Sequence, residues 1–464
     1  MFSVMSGKDL VKRAMTLGVC EETPWVPFVG VHGAYLIGAK ASDYLKSKEM
    51  IVKGVSAAVN YYKPDGIPVL FDLQLEAEAM GCRVIWPEDN PPSVIGHPLA
   101  EGMKISDLHL PSLKDGRVGV VMSAAAELRE LFPDIALYGL VTGPFTLALH
   151  LLGTEIFMKL LTDEHYVHEL MKFCTDVTAQ MSKYYIDTGC DVIAVVDPMV
   201  SQIGTDQFDL FVLPYLSNVF SFIKNNGALT SLFVCGDATH NIESMCNSKP
   251  DNISIDENIS LEMARDICLR NKISIGGNLR LTTTLLLGDE KECERDALEC
   301  IDTGGKIGYI ISPGCDLPYS TKIENLKAVS DVVKDDYRRE VARTLTLLSS
   351  QSQSVEIIPE NEFSEISNVH RLSVDVITLD SSACAPCQYM MDAVSRACES
   401  FGERVVVKEH KIKSIEGLEM MKRLNVKKIP SICIDGKVLF SSVIPPVDLI
   451  SDQINKILLQ KSVL

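Results

Sequence analysis

The sequence predicts an α/β protein, a (β/α)8 barrel followed by a second domain of βαβαββα order. Three observations carry that prediction. The chain has 464 residues, too many for one average domain and suited to a large barrel plus something smaller. Short β-rich runs alternate with long helical patterns over about the first 340 residues. Past a polar stretch the periodicity then restarts in a different, shorter order.

The elements follow in chain order. Lys8, Leu10, Val11 and Met15 have helical spacing, and the N-terminal "MFSVMSGKDLVKRAM" lacks the apolar run of a signal peptide. Eight strands are expected: "WVPFVGV" from 25, "IPVLFD" from 67, "IALYGLVTG" from 135, "DVIAVVD" from 191, "ALTSLFVCG" from 227, "NISID" from 252, "KISIGGN" from 272 and "IGYIIS" from 307. Helices such as 155–188, 260–270 and 288–303 lie between them, and "CRVIWPED" near 82 is an insertion. The barrel pattern stops at about 346, where "SSQSQSVEIIPENEFSEISN" is polar and rich in Ser and Glu, as a linker is. This gives a barrel over 1–345, a linker over 346–370 and a second domain over 371–464. In the last, "SVDVITLD" and "RVVVKEH" read as strands, "SICID" and "VLFSS" as a hairpin across Gly436, with helices at 385–401, 415–424 and 447–460.

Composition narrows the function. The chain is 46% hydrophobic and 23% charged, that of an ordinary soluble protein. Its net charge of −18 argues against nucleic acid as a partner, which would need a basic stripe. Residues 371–464 hold 13 Lys+Arg against 11 Asp+Glu, leaving −20 for the first 370. The most apolar segment, "YGLVTGPFTLALHLLG", is shorter than a membrane span and contains Pro144 and His150. Fourteen scattered cysteines without an export signal are expected as free thiols in the cytoplasm.

A barrel of this kind works at the C-terminal ends of its strands. Those ends offer His32, Asp72, Thr142, Asp197, Cys235, Asp256 with Glu257, Asn278, and Cys315. Carboxylates at strand ends also serve as helix caps, so each has a structural use beside a chemical one.

The ordered motifs "FDLQLEAEAMGC", "GPFTLALHLLGTEIF", "GCDVIAVVDP", "LFVCGDATH", "IGGNL" and "ISPGCDLPYSTKIENLKAV" resemble the uroporphyrinogen decarboxylase superfamily, over roughly residues 5 to 340. Within it they look most like the methylcobamide:coenzyme M methyltransferase branch. That resemblance implies a methyl group moved between a corrinoid such as methylcobalamin, carried on a partner corrinoid protein, and a small thiol in an anaerobe-type enzyme; a homodimer follows by analogy. It also implies a zinc ion held by a His-x-Cys pair and a later Gly-Cys loop, since zinc keeps a thiolate available at neutral pH. Cys235 and Cys315 fall on the two cysteine positions, but the histidine position is Phe233, which ligates nothing. The missing ligand could come from His240, Glu257 or Asp256; alternatively the cysteines are a metal-free thiol pair or inert packing. Substrate-facing positions suggested by strand ends or by the resemblance are His32, Tyr35, Asp72, Asp197, Tyr215 and Asn278. Two alternatives stand beside this reading: a non-catalytic corrinoid- or thiol-binding barrel whose only active chemistry is a C-terminal dithiol, Cys384 and Cys387, and the decarboxylase branch. That branch carries an arginine-bearing "RQAGR" pattern where residues 28–44, "FVGVHGAYLIGAKASDY", have no arginine.

The second domain resembles thioredoxin or glutaredoxin. "SSACAPCQYM" sets Cys384 and Cys387 as C-x-x-C at a helix start, where backbone N–H groups lower a thiol pKa. Pro430 in "KKIPSIC" resembles the cis-proline that faces the dithiol in that fold. The implied chemistry is mixed-disulfide exchange, Cys384 attacking and Cys387 resolving, either to maintain the barrel thiols or to take part in turnover.

Overall fold

The computed structural model describes residues 5–352, 371–381, 384–441 and 444–462. The chain divides into two compact units, 1–334 and 335–464.

The first unit is built on a parallel sheet of seven strands. Its strands are β1 (Gly66–Pro68), then, past an antiparallel hairpin β2 (Arg83–Ile85) and β3 (Ser93–Gly96), β4 (Ala136–Thr142), β5 (Val192–Val196), β6 (Leu229–Val234), β7 (Asn252–Ile255), β8 (Ser274–Leu279) and β9 (Tyr309–Pro313). They neighbour one another in that order, β1-β4-β5-β6-β7-β8-β9, with the hairpin outside as the expected insertion. The segment around Trp25 closes the ring. Trp25 bridges Ile311 in parallel, Val26 N–H donates to the Ile311 carbonyl at 3.0 Å, and Asp65 N–H donates to the Trp25 carbonyl at 2.9 Å. The result is a curled parallel barrel, with this eighth position reduced from the expected "WVPFVGV" strand to a single bridge.

These strands are continuous apolar runs because helices cover their outer face while side chains fill the inside. β4, β5 and β7 to β9 are buried throughout. Inside, Phe28, Phe71, Tyr138, Leu140, Val196, Phe233 and Ile310 belong to one core cluster. The expected helix over 155–188 is two, Glu155–Thr162 and Glu164–Asp187, because Asp163 leaves helical geometry and its side chain accepts the Tyr166 N–H at 3.2 Å to cap the second.

In the second unit the order of elements is strand, helix, strand, helix, strand, strand, helix. β10 (Leu372–Thr378) pairs in parallel with β11 (Val405–Lys411) and antiparallel with β12 (Ser431–Ile434), which pairs with β13 (Lys437–Ser441), giving the sheet order β11-β10-β12-β13. A helix over Asp336–Ser352 covers the start of the expected linker. The remaining linker residues, 353–370, lie outside the described residues.

Candidate active site

The strand ends of β6 and β9 bring Cys235 and Cys315, 80 residues apart in sequence, to an Sγ–Sγ separation of 2.6 Å. Both are half-buried. Cys235 is followed by Gly236 at φ +89°, a left-handed turn that glycine adopts at little cost. Its N–H donates to Asp256 Oδ2 at 2.8 Å, so the carboxylate at the end of β7 fixes the turn carrying the thiol. Cys315 follows Gly314, where a Cβ would fall 2.6 Å from the Glu257 backbone nitrogen. Only a glycine lets this strand end press so closely on its neighbour.

Below the pair the barrel is apolar. Phe233 is fully buried and packs on Phe28 at 4.7 Å and Phe71 at 5.7 Å between ring centroids. Beside the pair the field is negative. The Cys315 thiol, burial, and the carboxylates of Asp256 and Asp316 together push the Cys235 thiol well above its ordinary pKa. Burial and neighbouring Asp256 push Glu257 up to about 8, although Leu281 N–H donates to its carboxylate.

The expected third zinc ligand is not supplied. His240 is exposed on the surface, and its Nε2 meets the Ile203 carbonyl at 2.9 Å. Asp256 receives Gly236 N–H on one oxygen and Asn258 N–H, at 2.9 Å, on the other, while Glu257 holds Leu281. No group of three or more His, Cys, Asp and Glu side chains suited to a metal occurs among the described residues. Spacing also disagrees, since two sulfurs on one tetrahedral zinc sit about 3.8 Å apart, given Zn–S bonds near 2.3 Å. Among the described residues, His240, Asp256 and Glu257 are engaged in other contacts and do not complete a zinc centre with the two cysteines.

The other expected positions brace the mouth. Asp72 is buried, one oxygen on Arg117 Nη1 at 2.7 Å and the other accepting Gln74 N–H at 2.9 Å. Asp197, fully buried, accepts from Thr146 N–H, Thr146 Oγ1 and Phe145 N–H, and so caps the helix Pro144–Leu152 from the next strand. Burial pushes its carboxyl up to about 6. Their oxygens hold the fold at the rim. Asn278 Nδ2 donates to the carbonyls of Asp256 and Ile259 at 3.1 and 2.8 Å, holding the turn after β7. Tyr215 Oη pairs with His168 Nδ1 on the helix Glu164–Asp187 at 2.9 Å.

His32 ties down the Cys315 loop. Its Nδ1 lies 3.0 Å from the Tyr319 carbonyl and its Nε2 2.7 Å from Tyr62 Oη. A carbonyl only accepts, so Nδ1 carries the proton and Tyr62 donates to Nε2. Tyr35 stacks on the same ring at 5.7 Å and is the exposed member of the group. Sequence reasoning missed Arg117, Asp316, Tyr62 and Tyr319; only Asp316 and Tyr319, within "GCDLPYS", lay near a flagged residue.

Residues 6–335 match the family described as Uroporphyrinogen decarboxylase (URO-D). The chain belongs to this family. This family member is 30% identical over 275 residues to the methylcobamide:CoM methyltransferase MtbA of Methanosarcina acetivorans, covering 58% of the chain and 80% of that relative. It is 24% identical to the methylcobamide:CoM methyltransferase MtaA of Methanosarcina barkeri, covering 65% and 88%. A solved methyltransferase from Methanosarcina mazei shares the fold, with a TM-score of 0.67 at 23% identity, over 72% of this chain and all of that one. These matches concern the barrel.

In the second unit, Cys384 and Cys387 form a disulfide at the start of the helix Ala385–Cys398, and Cys384 Sγ accepts the Cys387 N–H at 3.4 Å. The Ile429–Pro430 peptide is cis. Ser431, which follows, pairs with Ile377 near the end of β10, so Pro430 and the dithiol lie at the same end of the sheet. No single helix among the described residues is long and apolar enough to cross a membrane.

Proposed function

We propose that this chain is a corrinoid-dependent methyltransferase that moves a methyl group between a cobamide, presented by a corrinoid protein, and a small thiol at the barrel mouth. The observation that carries the reading is the meeting of Cys235 and Cys315 at the C-terminal rim, in a chain whose relatives include methylcobamide:CoM methyltransferases. In the transfer a thiolate sulfur attacks the methyl carbon of the substrate cobamide; the S–C bond forms, the Co–C bond breaks, and its electron pair stays with cobalt. Asp256, Gly236 and Gly314 position the two sulfurs, and the Phe233 cluster closes the barrel floor so that water does not reach them from below. No step is assigned to zinc.

The second unit is proposed as a thioredoxin-like dithiol–disulfide reductase, supported by the C-x-x-C at a helix start, the 2-1-3-4 strand order of its sheet and Pro430 at the same end of that sheet. Cys384 attacks a disulfide and Cys387 resolves the mixed species.

The test is methyl transfer from methylcobalamin to a panel of small thiols, followed by the cobalamin absorbance. Wild type is expected to turn over, and Cys235→Ser and Cys315→Ser to lose nearly all of it. Unchanged transfer in both variants would make the barrel thiols irrelevant to the reaction. No transfer by wild type, with small disulfides still reduced through Cys384, would leave the barrel a binding scaffold.

A further inference from the structure

The pair at the barrel mouth sits at a spacing that suits neither separate thiols nor a shared zinc. At 2.6 Å the sulfurs are inside van der Waals contact, about 0.6 Å longer than a disulfide and about 1.2 Å shorter than two ligands of one tetrahedral zinc. Phe233, two residues before Cys235, is locked in the aromatic cluster with Phe28 and Phe71 and offers no ligand atom. Both residues are half-buried at the strand ends that form the mouth.

We propose that Cys235 and Cys315 form a metal-free dithiol–disulfide couple that exchanges with low-molecular-weight disulfides. The proposal rests on the reading of the barrel mouth as the working site, and changes what that site holds. In the oxidising direction one cysteine thiolate attacks a sulfur of R–S–S–R, a mixed disulfide forms and RS⁻ leaves. The second cysteine then attacks the protein sulfur of that mixed disulfide and the second RS⁻ leaves. The barrel pair loses two electrons and the small disulfide gains them; an added dithiol reverses both steps. The surroundings favour the oxidised form. The Cys315 thiol and burial, with smaller contributions from the carboxylates of Asp256 and Asp316, disfavour a thiolate at Cys235, whereas a disulfide carries no charge. The disulfide state removes both sulfurs from methyl chemistry.

The experiment uses the full-length chain carrying Cys384→Ser and Cys387→Ser, purified anaerobically and treated with bis(2-hydroxyethyl) disulfide. Peptide mapping is expected to show a Cys235–Cys315 linkage, a drop of about tenfold or more in alkylation of both, and recovery with dithiothreitol. Cys235→Ser and Cys315→Ser in the same background should stop at the mixed disulfide with mercaptoethanol on the remaining cysteine. Metal analysis of the untreated wild type is expected to find no zinc released by either serine substitution, and Phe233→His is expected to gain zinc. A wild type whose zinc disappears on Cys235→Ser, or cysteines that stay alkylatable and never link, would overturn the proposal. Linkage is read without methyl transfer, so its failure is separate from failure of the methyltransferase reading.

Discussion

Arg117 lies in the barrel wall with its side chain 6% exposed, holding Asp72 at 2.7 Å and Glu78 at 2.7 Å. Breaking such a buried arrangement by removing one partner leaves charge without compensation. Arg117→Ala is therefore expected to destabilise the barrel by about 3–5 kcal/mol in urea unfolding. A loss below about 1 kcal/mol, the range of surface pairs, would show that the cluster is solvated. His32 makes a second prediction. Burial holds its pKa down at about 4, against 6.5 for a free imidazole, so the ring is neutral in the fold. The unfolded chain binds the proton first as pH falls, so the stability His32 contributes is complete above about 6.5 and is lost toward about 4, on the order of 3 kcal/mol in total. Asp197 and Glu76, raised by burial to about 6 and about 7, act with the opposite sign, their contribution fading as pH rises. Comparison with His32→Gln isolates the histidine: the stability gap to wild type should narrow from pH 7 to 4.5, and a constant gap would contradict it. Cys235 and Cys315 were legible in the sequence because strand-end position and the Gly-Cys pair are local signals. The use of Asp72 was not, because Arg117 stands 45 residues away and nothing local marks it as a partner.

Elements show the same division between local and distant causes. The buried parallel strands were legible as apolar runs, since burial on both faces leaves no alternation to disguise them. The first strand was overestimated because "WVPFVGV" is equally apolar, yet the chain turns into the helix His32–Leu36 after one bridge to Ile311. The second-unit elements were readable from period changes and the Gly436 turn, while the helix to Ser352 was hidden by a Ser/Gln-rich composition that reads as linker. At the active site, packing between elements makes the third prediction. Gly314 joins β9 to the Cys315 loop, and a Cβ there would meet the Glu257 backbone at 2.6 Å, where no flexible side chain can yield. Gly314→Ala is expected to cost about 1–3 kcal/mol by overpacking and to separate the two sulfurs. Its readout is the Cys235–Cys315 linkage under bis(2-hydroxyethyl) disulfide, which should become slow or absent while the folded variant retains its circular dichroism. Efficient linkage in Gly314→Ala would mean the close strand contact does not set the thiol geometry.

Charge acts over the whole molecule, and it separates this chain from one of its family's named chemistries. The net charge is −18, and at the mouth the carboxylates of Asp256 and Asp316 lie beside the Cys235 thiol. Uroporphyrinogen is a polycarboxylate, and its binding needs a basic shell to offset the repulsion. Residues 28–44 supply no arginine, and Arg117 and Arg280 are held by Asp72, Glu78, Asp296 and Glu299. A small thiol, whose reacting sulfur carries at most one charge, meets far less repulsion than a ring of carboxylates. Offered uroporphyrinogen under reducing conditions, the protein is expected to form no coproporphyrinogen above the rate without enzyme, at low and at high salt alike. The salt series matters, because screening shortens the reach of surface charge to about 8 Å at physiological ionic strength and would partly relieve simple long-range repulsion. Product appearing only at high salt would assign the exclusion to net charge alone; product at both would overturn the argument from the missing arginines and return decarboxylation to this barrel.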